Sequence, residues 1–351
     1  ARMTRIELEY KHEKLPNEVK LSMAGYMTGV VNSLISTIMG YRFDELTQQA
    51  DAPFVGGYAE YGELVKSTDA FQLLAIPKEG KELEGFKALL LETEKMKRFG
   101  FTNSEVERAK TDILKSLENA YNDRENQKNR NLVREYVRHF LSQEVIPGVE
   151  WEYQTFQAMM PHLTLEVINQ AAKSYVTDEN LIVSFMAPDK PTVLIPSNEV
   201  ILETINEVKS VELTAKAEEN LNKPLIEKAP KAGKIKKSER NEVLGTTEWI
   251  LSNGIKVIFK TTDFKKDEIL LTAYSEGGLS KMKNSQDLIS GALAASVVSN
   301  NGLGEFSLIE LNKMLTGKIA SVSPSIGNYD EGFTGKSSVD RKSTRLNSSH
   351  T

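Results

Sequence analysis

The feature that most limits how this chain folds is a long segment that offers little to bury. From Lys209 to Asn241 the sequence is charged, contains proline and is poor in large apolar residues. This composition is typical of a linker between domains. It divides the 351-residue chain into separate folded parts, in agreement with the about two to three domains expected for this length. The lysines clustered at 231–237 are interpreted as solvated linker rather than as a binding patch.

Before this segment, the apolar periodicity predicts a mixture of helices and strands. Residues at helical spacing predict a long, substantially buried helix from Pro16 to about Gln49. Apolar runs bounded by glycine and proline predict strands in APFVGGYAEYGELV, DAFQLLAIPKEG and NLIVSFMAP. Further helices are predicted at Lys81–Phe99, from Thr102 to about Leu141, at Glu150–Met159 and at Leu165–Tyr175. The opening residues, ARMTRIELEYKHEK, are interpreted as a charged entry segment. The mixture favours an α+β fold of sheet and helix layers.

After the linker, a second pattern begins near Gly245. The sequence TTEWILSNGIKVIFKTT alternates apolar residues around Asn253 and Gly254, which is a strong signal for a β-hairpin. A strand in DEILLTAYSEGG, a helix at Ser285–Asn300, a helix in SLIELNKMLTGK and two strands in IASVSPSIGNYDEGFTGKSS follow. The predicted order of this part is therefore β-β-β-α-α-β-β.

Composition and charge exclude several classes of function. The formal net charge is −5, with both signs interspersed, and a nucleic-acid-binding surface would require clustered basic residues. No apolar run approaches the ~18 residues that a membrane span requires. The chain has no cysteine, which excludes disulfides and thiolate zinc sites but leaves the compartment open.

The sequence contains no recognisable catalytic motif. Its histidines are His12, His139, His162 and His350, and none lies in the H-E-x-x-H or H-x-x-E-H spacing that places two imidazoles beside a carboxylate on one helix face. Each is interpreted as a surface or structurally bonded histidine. There is no cysteine nucleophile and no G-x-S-x-G, and neither NNGLGEF nor VGGY matches G-x-G-x-x-G or a P-loop.

A run of arginine and tyrosine offers one further candidate site. Arg134, Tyr136 and Arg138 could form a clamp for an anion or a carboxylate. At this spacing the side chains point in different directions on a helix, so a solvated face is the favoured interpretation.

Two long segments resemble the same protein family. LSNGIKVIFKTTDFKKDEILLTAYSEGGLS resembles the opening of a domain in the insulinase/pitrilysin family of zinc metallopeptidases. The upstream RFGFTNSEVERAKTDILKSLENAYNDRENQ and VREYVRHFLSQEVIPGVEWEY are similar to the second domain of its long, two-half bacterial members. The resemblance covers residues 1–339. It implies α+β sandwich domains that close like a clamshell around a chamber, with each sheet covered by helices on one face.

The resemblance also implies that this chain carries a degenerate site. In catalytic domains of the family, the helix after the hairpin and strand carries H-x-x-E-H. The register of VVSNNG with the family's post-helix loop places Ala292, Ala295 and Ser296 at those positions. Neither alanine can ligate a metal, serine is a poor zinc ligand, and no general base remains. We therefore expect no catalytic, cofactor-binding or metal-binding residue in this chain.

The implied organisation is one complete and one truncated domain. Residues 1–208 are expected to form the second, non-catalytic domain, 209–244 the linker and 245–339 a truncated third domain. The closing residues 340–351, DRKSTRLNSSHT, resemble a translated sequencing adapter and are expected to be an adapter-derived tail. The catalytic domain, with its zinc, would precede Ala1.

The function that the resemblance implies is that of an internal fragment of a zinc-dependent endopeptidase or oligopeptidase. The fragment would supply chamber wall and structural support, would be inactive as given, and would have the missing catalytic domain as its partner. The full-length protein would take peptides or unfolded polypeptides as substrates. The alternative is a non-catalytic peptide-binding or structural subunit, which the absence of an upstream H-x-x-E-H would favour. Long bacterial relatives are often exported to the periplasm, but the sequence leaves the location open.

Overall fold

The structure is a computed structural model that describes residues 2–218, 223–228, 230–265 and 267–339. The chain forms two compact units, one of Ala1–Tyr121 and Lys128–Asn220, and one of Asn122–Gln127 and Leu221–Thr351. Both contain helices and strands, which confirms the predicted α+β class. Within the described ranges, none of the helices combines the length and the apolar character that crossing a bilayer requires.

The first unit is built on an antiparallel sheet in the order β2-β3-β1-β4. The strands are β1 (Arg5–Glu13), β2 (Phe54–Val65), β3 (Thr68–Pro77) and β4 (Leu181–Met186). The helices in this part of the chain are α1 (Asn17–Lys20), α2 (Met23–Thr47), α3 (Glu82–Phe99), α4 (Asn103–Asn122), α5 (Asn129–Ser142), α6 (Val149–Met159), α7 (Leu165–Tyr175) and α8 (Asn198–Ser210).

The charged opening segment, for which no strand was predicted, forms the interior strand β1. In β1, Ile6, Leu8 and Tyr10 are buried and alternate with partly exposed charged residues. Because successive side chains of a strand point to opposite faces, one face of β1 packs in the core and the other faces water. β1 lies between β3 and β4 in the sheet. It therefore carries core contacts for the whole first unit.

The predicted long helix is confirmed as α2, after the short helix α1. Ser22 caps its start by accepting a hydrogen bond from the Gly25 N–H at 3.4 Å. The core-facing residues of α2 lie against the sheet and are fully buried: Leu34, Ile35, Ile38, Met39 and Phe43. This packing forms the largest hydrophobic core in the described part of the chain.

The helix predicted from Thr102 to about Leu141 is two helices. α4 ends at Asn122, a short 3₁₀ turn spans Arg124–Asn126, and α5 begins at Asn129. Asparagine and aspartate in this segment favour turns because their side chains compete for backbone hydrogen bonds. The prediction joined the two helices because no proline or glycine separates them.

Arg42 of α2 and Glu105 of α4 form a buried ion pair. Arg42 donates from Nε to Oε1 and from Nη2 to Oε2 of Glu105, both at 2.8 Å. The side chains are only 3% and 4% exposed. The Thr102 N–H donates to the same carboxylate at 2.9 Å, while the Glu105 N–H donates to Thr102 Oγ1. Glu105 therefore both caps α4 and joins it to α2.

The predicted linker differs from the structure at its beginning. Arg98 of α3 donates to the backbone carbonyl oxygens of residues 208, 209 and 211. Lys216 lies 2.5 Å from Glu45 and 3.5 Å from Glu105. The Glu218 carboxylate accepts from the N–H of Ser104 at 2.8 Å, at the start of α4. Residues 208–218 are thus fixed to the first unit by charged groups, which explains why their composition resembles a linker.

The second unit contains two three-stranded sheets, ordered β5-β6-β7 and β8-β10-β9. The strands are β5 (Ile235–Asn241), β6 (Thr246–Leu251), β7 (Lys256–Phe259), β8 (Ile269–Glu276), β9 (Ala320–Ile326) and β10 (Asp330–Ser337), and the helices are α9 (Ser285–Ser299) and α10 (Leu308–Met314). The predicted hairpin and element order from residue 245 are confirmed. β5 lies inside the predicted linker; it pairs with β6 although every one of its side chains is exposed.

Alanine substitutions at two glycines with positive φ should lower the stability of the protein by different amounts. Gly100 and Gly148 have φ of 73° and 85°. A Cβ at Gly100 would lie 2.4 Å from Cγ of Asn169, whereas nothing lies within 4 Å of one at Gly148. Asn169 Oδ1 accepts from the Phe101 N–H at 2.7 Å, and Asn169 Nδ2 donates to the Phe101 carbonyl oxygen at 3.2 Å. We expect G148A to lower the free energy of unfolding by about 1 kcal/mol through backbone strain.

We expect G100A to lower the free energy of unfolding by about 2–3 kcal/mol, because displacing Asn169 also breaks the two hydrogen bonds of its side chain. Urea denaturation of both variants beside the wild type measures the difference. Equal losses would show that the Asn169 contact does not matter.

Candidate functional site

The positions that the resemblance assigns to a degenerate site, Ala292, Ala295 and Ser296, lie on α9. Asn284 caps this helix by accepting from the Asp287 N–H at 2.8 Å. Gly291 is buried, and a Cβ there would lie 2.3 Å from Cε of Met282, so this side of α9 packs closely on the preceding 3₁₀ turn. Ala292 and Ser296 are exposed on the helix surface, and Ala295 between them is half-buried.

The arrangement at these positions has the spacing of a metal-binding helix without its donors. Residues 292, 295 and 296 share one face of α9 because i, i+3 and i+4 are neighbours on a helix. Two of them end in a methyl group and one in a hydroxyl, and zinc in proteins prefers imidazole, thiolate or carboxylate ligands. The donor set does not fit zinc. Across the described ranges, no group of three or more His, Cys, Asp or Glu side chains is arranged to hold a metal ion.

The three histidines in the described part of the chain lie in different elements. His12 lies in β1, with Nε2 3.0 Å from the Tyr175 carbonyl oxygen and its ring 5.5 Å from that of Tyr61. His139 lies in α5, with Nδ1 2.6 Å from the Glu144 carbonyl oxygen. His162 is exposed in a 3₁₀ turn after α6, and His350 lies outside the described residues.

The residues of the possible anion clamp lie on the exposed surface of α5. Arg134, Tyr136 and Arg138 are all exposed. Arg138 pairs with Glu144 at 2.9 Å.

A groove of about 610 Å³ in the first unit lies between α3, β4 and α8. Its lining mixes polar and apolar side chains, the apolar ones including Leu90, Leu181, Val183, Ile201 and Ile205. At one end, Asp178 accepts from Lys97 at 2.9 Å and lies 3.3 Å from Lys209. Hydrogen bonds from Lys97 and Lys209 lower the pKa of the Asp178 carboxyl.

This groove offers binding surface but no reactive group. Both carboxylates in its lining are paired with cations, Asp178 with Lys97 and Lys209 and Glu94 with Arg98 at 2.6 Å, and the lining contains no histidine. The sequence did not indicate it, because its walls come from segments far apart in the chain. The helix α8 that forms one wall was also not predicted, although Ser197 caps it by accepting from the Val200 N–H.

Sequence comparison relates the chain to a zinc protease. The chain is 28% identical over 217 residues to the zinc protease PQQL-like of Arabidopsis thaliana, a match that covers 62% of this chain and 22% of that protein. The chain therefore spans about a fifth of that relative's length. No protein-family model matches the chain.

The fold is similar to that of solved proteases. The periplasmic protease PqqL from Escherichia coli aligns with a TM-score of 0.55 and 19% identity, over 96% of this chain and 37% of that structure. Pitrilysin aligns with a TM-score of 0.54 and 12% identity, over 99% of this chain and 35% of that structure. At these identities the structural matches establish the fold, and the match to the Arabidopsis protein adds similarity of sequence. Over the part that these relatives share with it, the chain is similar in sequence to a zinc protease and in fold to proteases of the insulinase/pitrilysin type.

Proposed function

We propose that this chain is a non-catalytic portion of a zinc-dependent endopeptidase or oligopeptidase, for which it supplies chamber wall and structural support. The peptide bond would be cleaved by a catalytic domain that this chain does not contain. The substrate of the whole protein would be a peptide or an unfolded polypeptide. In this proposal, residues 1–208 form a complete domain, and 245–339 form part of a second one joined to it through 209–244.

The observation that carries the proposal is the set of side chains on α9. By the resemblance of VVSNNG to the family's post-helix loop, Ala292, Ala295 and Ser296 would stand at the positions of the H-x-x-E-H motif. None of the three supplies the imidazole or carboxylate that zinc and its attacking water require. The short share of each relative that the chain matches, 22% and 37%, agrees with a role as one portion of a larger protein.

We expect the purified chain to retain no stoichiometric zinc after dialysis and to show no chelator-sensitive hydrolysis of fluorogenic peptides. Zinc content is measured by mass spectrometry, and hydrolysis is followed with and without EDTA. Stoichiometric zinc together with EDTA-sensitive cleavage would overturn the proposal.

A matched variant tests the register on α9. The triple substitution A292H/A295E/S296H places two imidazoles at i and i+4 with a carboxylate beside them. We expect this variant to gain zinc binding, because both imidazoles then lie on the exposed side of the helix. A variant that folds but binds no more zinc than the wild type would show that these positions do not form the metal-binding face.

A further inference from the structure

Helix α5 presents an apolar face to water. None of its residues is buried, in contrast to the long helices α2, α3 and α4. Phe140 is 84% exposed and Leu141 is 60% exposed. They continue a stripe along one side of the helix, together with Val133, Tyr136 and Val137, all three also exposed. A contiguous apolar stripe on the surface of a folded protein marks a place where another molecule binds.

The C-terminal end of α5 is fixed to the first unit. Lys20 donates to the carbonyl oxygen of Ser142, and Lys66 donates to that of Leu141, both at 3.1 Å. Ammonium groups at this position complement the negative end of the helix dipole. Gln143 adopts a left-handed conformation, and its N–H donates to the His139 carbonyl at 2.9 Å. These contacts hold α5 in place, so its apolar face is presented in a defined position.

A row of arginines borders the apolar stripe. Arg130, Arg134 and Arg138 follow one another at i, i+4 and i+8, so they lie on one side of the helix. Arg138 pairs with Glu144, whereas Arg130 and Arg134 are exposed and have no ion pair among the described residues. Guanidinium groups bind carboxylates in a bidentate geometry. The surface therefore complements apolar side chains that are accompanied by carboxylates.

We propose that the exposed face of α5 binds acidic polypeptide segments that carry apolar side chains. The inference rests on the proposed function, because it gives the chamber wall a preference among polypeptide substrates. From Val133 to Leu141 the stripe is ~12 Å long at the rise of an α-helix. This length accommodates about four residues of an extended chain. The apolar side chains of the bound segment lie on Tyr136, Val137 and Phe140, and its carboxylates meet Arg130 and Arg134.

The test uses the whole purified chain and fluorescein-labelled peptides followed by anisotropy. One peptide alternates glutamate with leucine or phenylalanine; in a second, lysine replaces each glutamate; in a third, serine replaces each apolar residue. We expect the acidic apolar peptide to bind and each of the other two to bind at least about tenfold more weakly.

Two variants locate the binding surface. We expect R130E/R134E and F140S each to weaken binding of the acidic apolar peptide by at least about tenfold. The control K228E/K283E changes the net charge equally at exposed lysines of the second unit, and we expect its affinity to stay within about twofold of the wild type. Phe140 is exposed, so F140S should fold, which circular dichroism verifies.

The outcomes separate this inference from the proposed function. Equal affinity of the wild type and both α5 variants, or no binding at all, would overturn the inference and leave the proposed function standing. Self-association that F140S abolishes, or binding of α5 to phosphatidylserine vesicles in place of the peptide, would likewise overturn it. Zinc-dependent cleavage of the bound peptide by this chain would overturn the proposed function but not the binding surface.

Discussion

The substitution R42M should lower the free energy of unfolding of the first unit by about 3–5 kcal/mol, the range found when one partner of a buried ion pair is removed. The variant leaves the Glu105 carboxylate buried, without its two 2.8 Å hydrogen bonds from Arg42. It also frees the Gly100 carbonyl, which accepts from Arg42 Nη2 at 3.1 Å. Lys216, at 3.5 Å, compensates only in part.

Tryptophan fluorescence during guanidinium denaturation reports this loss for the first unit alone. The chain has two tryptophans; Trp151 lies in the first unit and Trp249 in the second, so a W249F background isolates the signal. K87M serves as the control because the Lys87–Glu207 pair is exposed, and we expect it to change stability by less than about 1 kcal/mol. R42M would contradict the prediction if it were as stable as K87M. The double variant R42M/E105M should recover most of the loss, since it leaves no unpaired charge.

The same pair makes stability depend on pH. Burial alone would raise the pKa of Glu105, but the hydrogen bonds and charge of Arg42 outweigh it and hold the pKa at about 2. A carboxyl whose pKa is lowered by folding stabilises the protein above its unfolded pKa, and this contribution is lost as the pH falls toward the folded pKa. The wild type should therefore lose stability between about pH 4.5 and about pH 2. R42M should show a smaller loss over this interval.

Helices and strands could be predicted from the sequence where the spacing of apolar residues matches their burial. The prediction failed where that spacing is weak or where charged neighbours obscure it. α2 and the hairpin of β6 and β7 were found because their apolar residues repeat at the correct period. β1 was missed although its residues alternate, since its outward side chains are charged and dominated the interpretation. β5 could not be found from burial, because all its side chains are exposed and only backbone pairing holds it to β6.

The candidate sites, too, could be predicted from the sequence only in part. The positions on α9 followed from resemblance to a family, because alanine and serine carry no chemical signal of their own. The groove beside Asp178 was unpredictable, since its lining converges from three elements that only the fold brings together. The amphipathic pattern of α5 is visible in the sequence, but exposure of its apolar side is a property of the structure, because the same pattern usually indicates a buried face.

The substitution F43A should also lower the free energy of unfolding by about 3–5 kcal/mol, as is typical of a buried phenylalanine reduced to alanine. Phe43 is fully buried on the inner face of α2. Its ring meets that of Phe54 in β2 edge to face, with the ring centres 6.0 Å apart. The substitution would leave a cavity between α2 and the sheet. Because the core is tightly packed, the surrounding residues could not move far enough to fill this cavity.

The matched control is the same substitution on α5. Phe140 is 84% exposed, so F140A should change stability by no more than about 0.5 kcal/mol. Guanidinium denaturation in the W249F background compares both variants with the wild type. If F140A destabilised the first unit as much as F43A does, α5 would be part of the core, and its apolar face would not be free to bind a polypeptide. A large loss for F43A with little change for F140A assigns the two phenylalanines to different tasks: Phe43 holds the layers together, and Phe140 remains available for a partner.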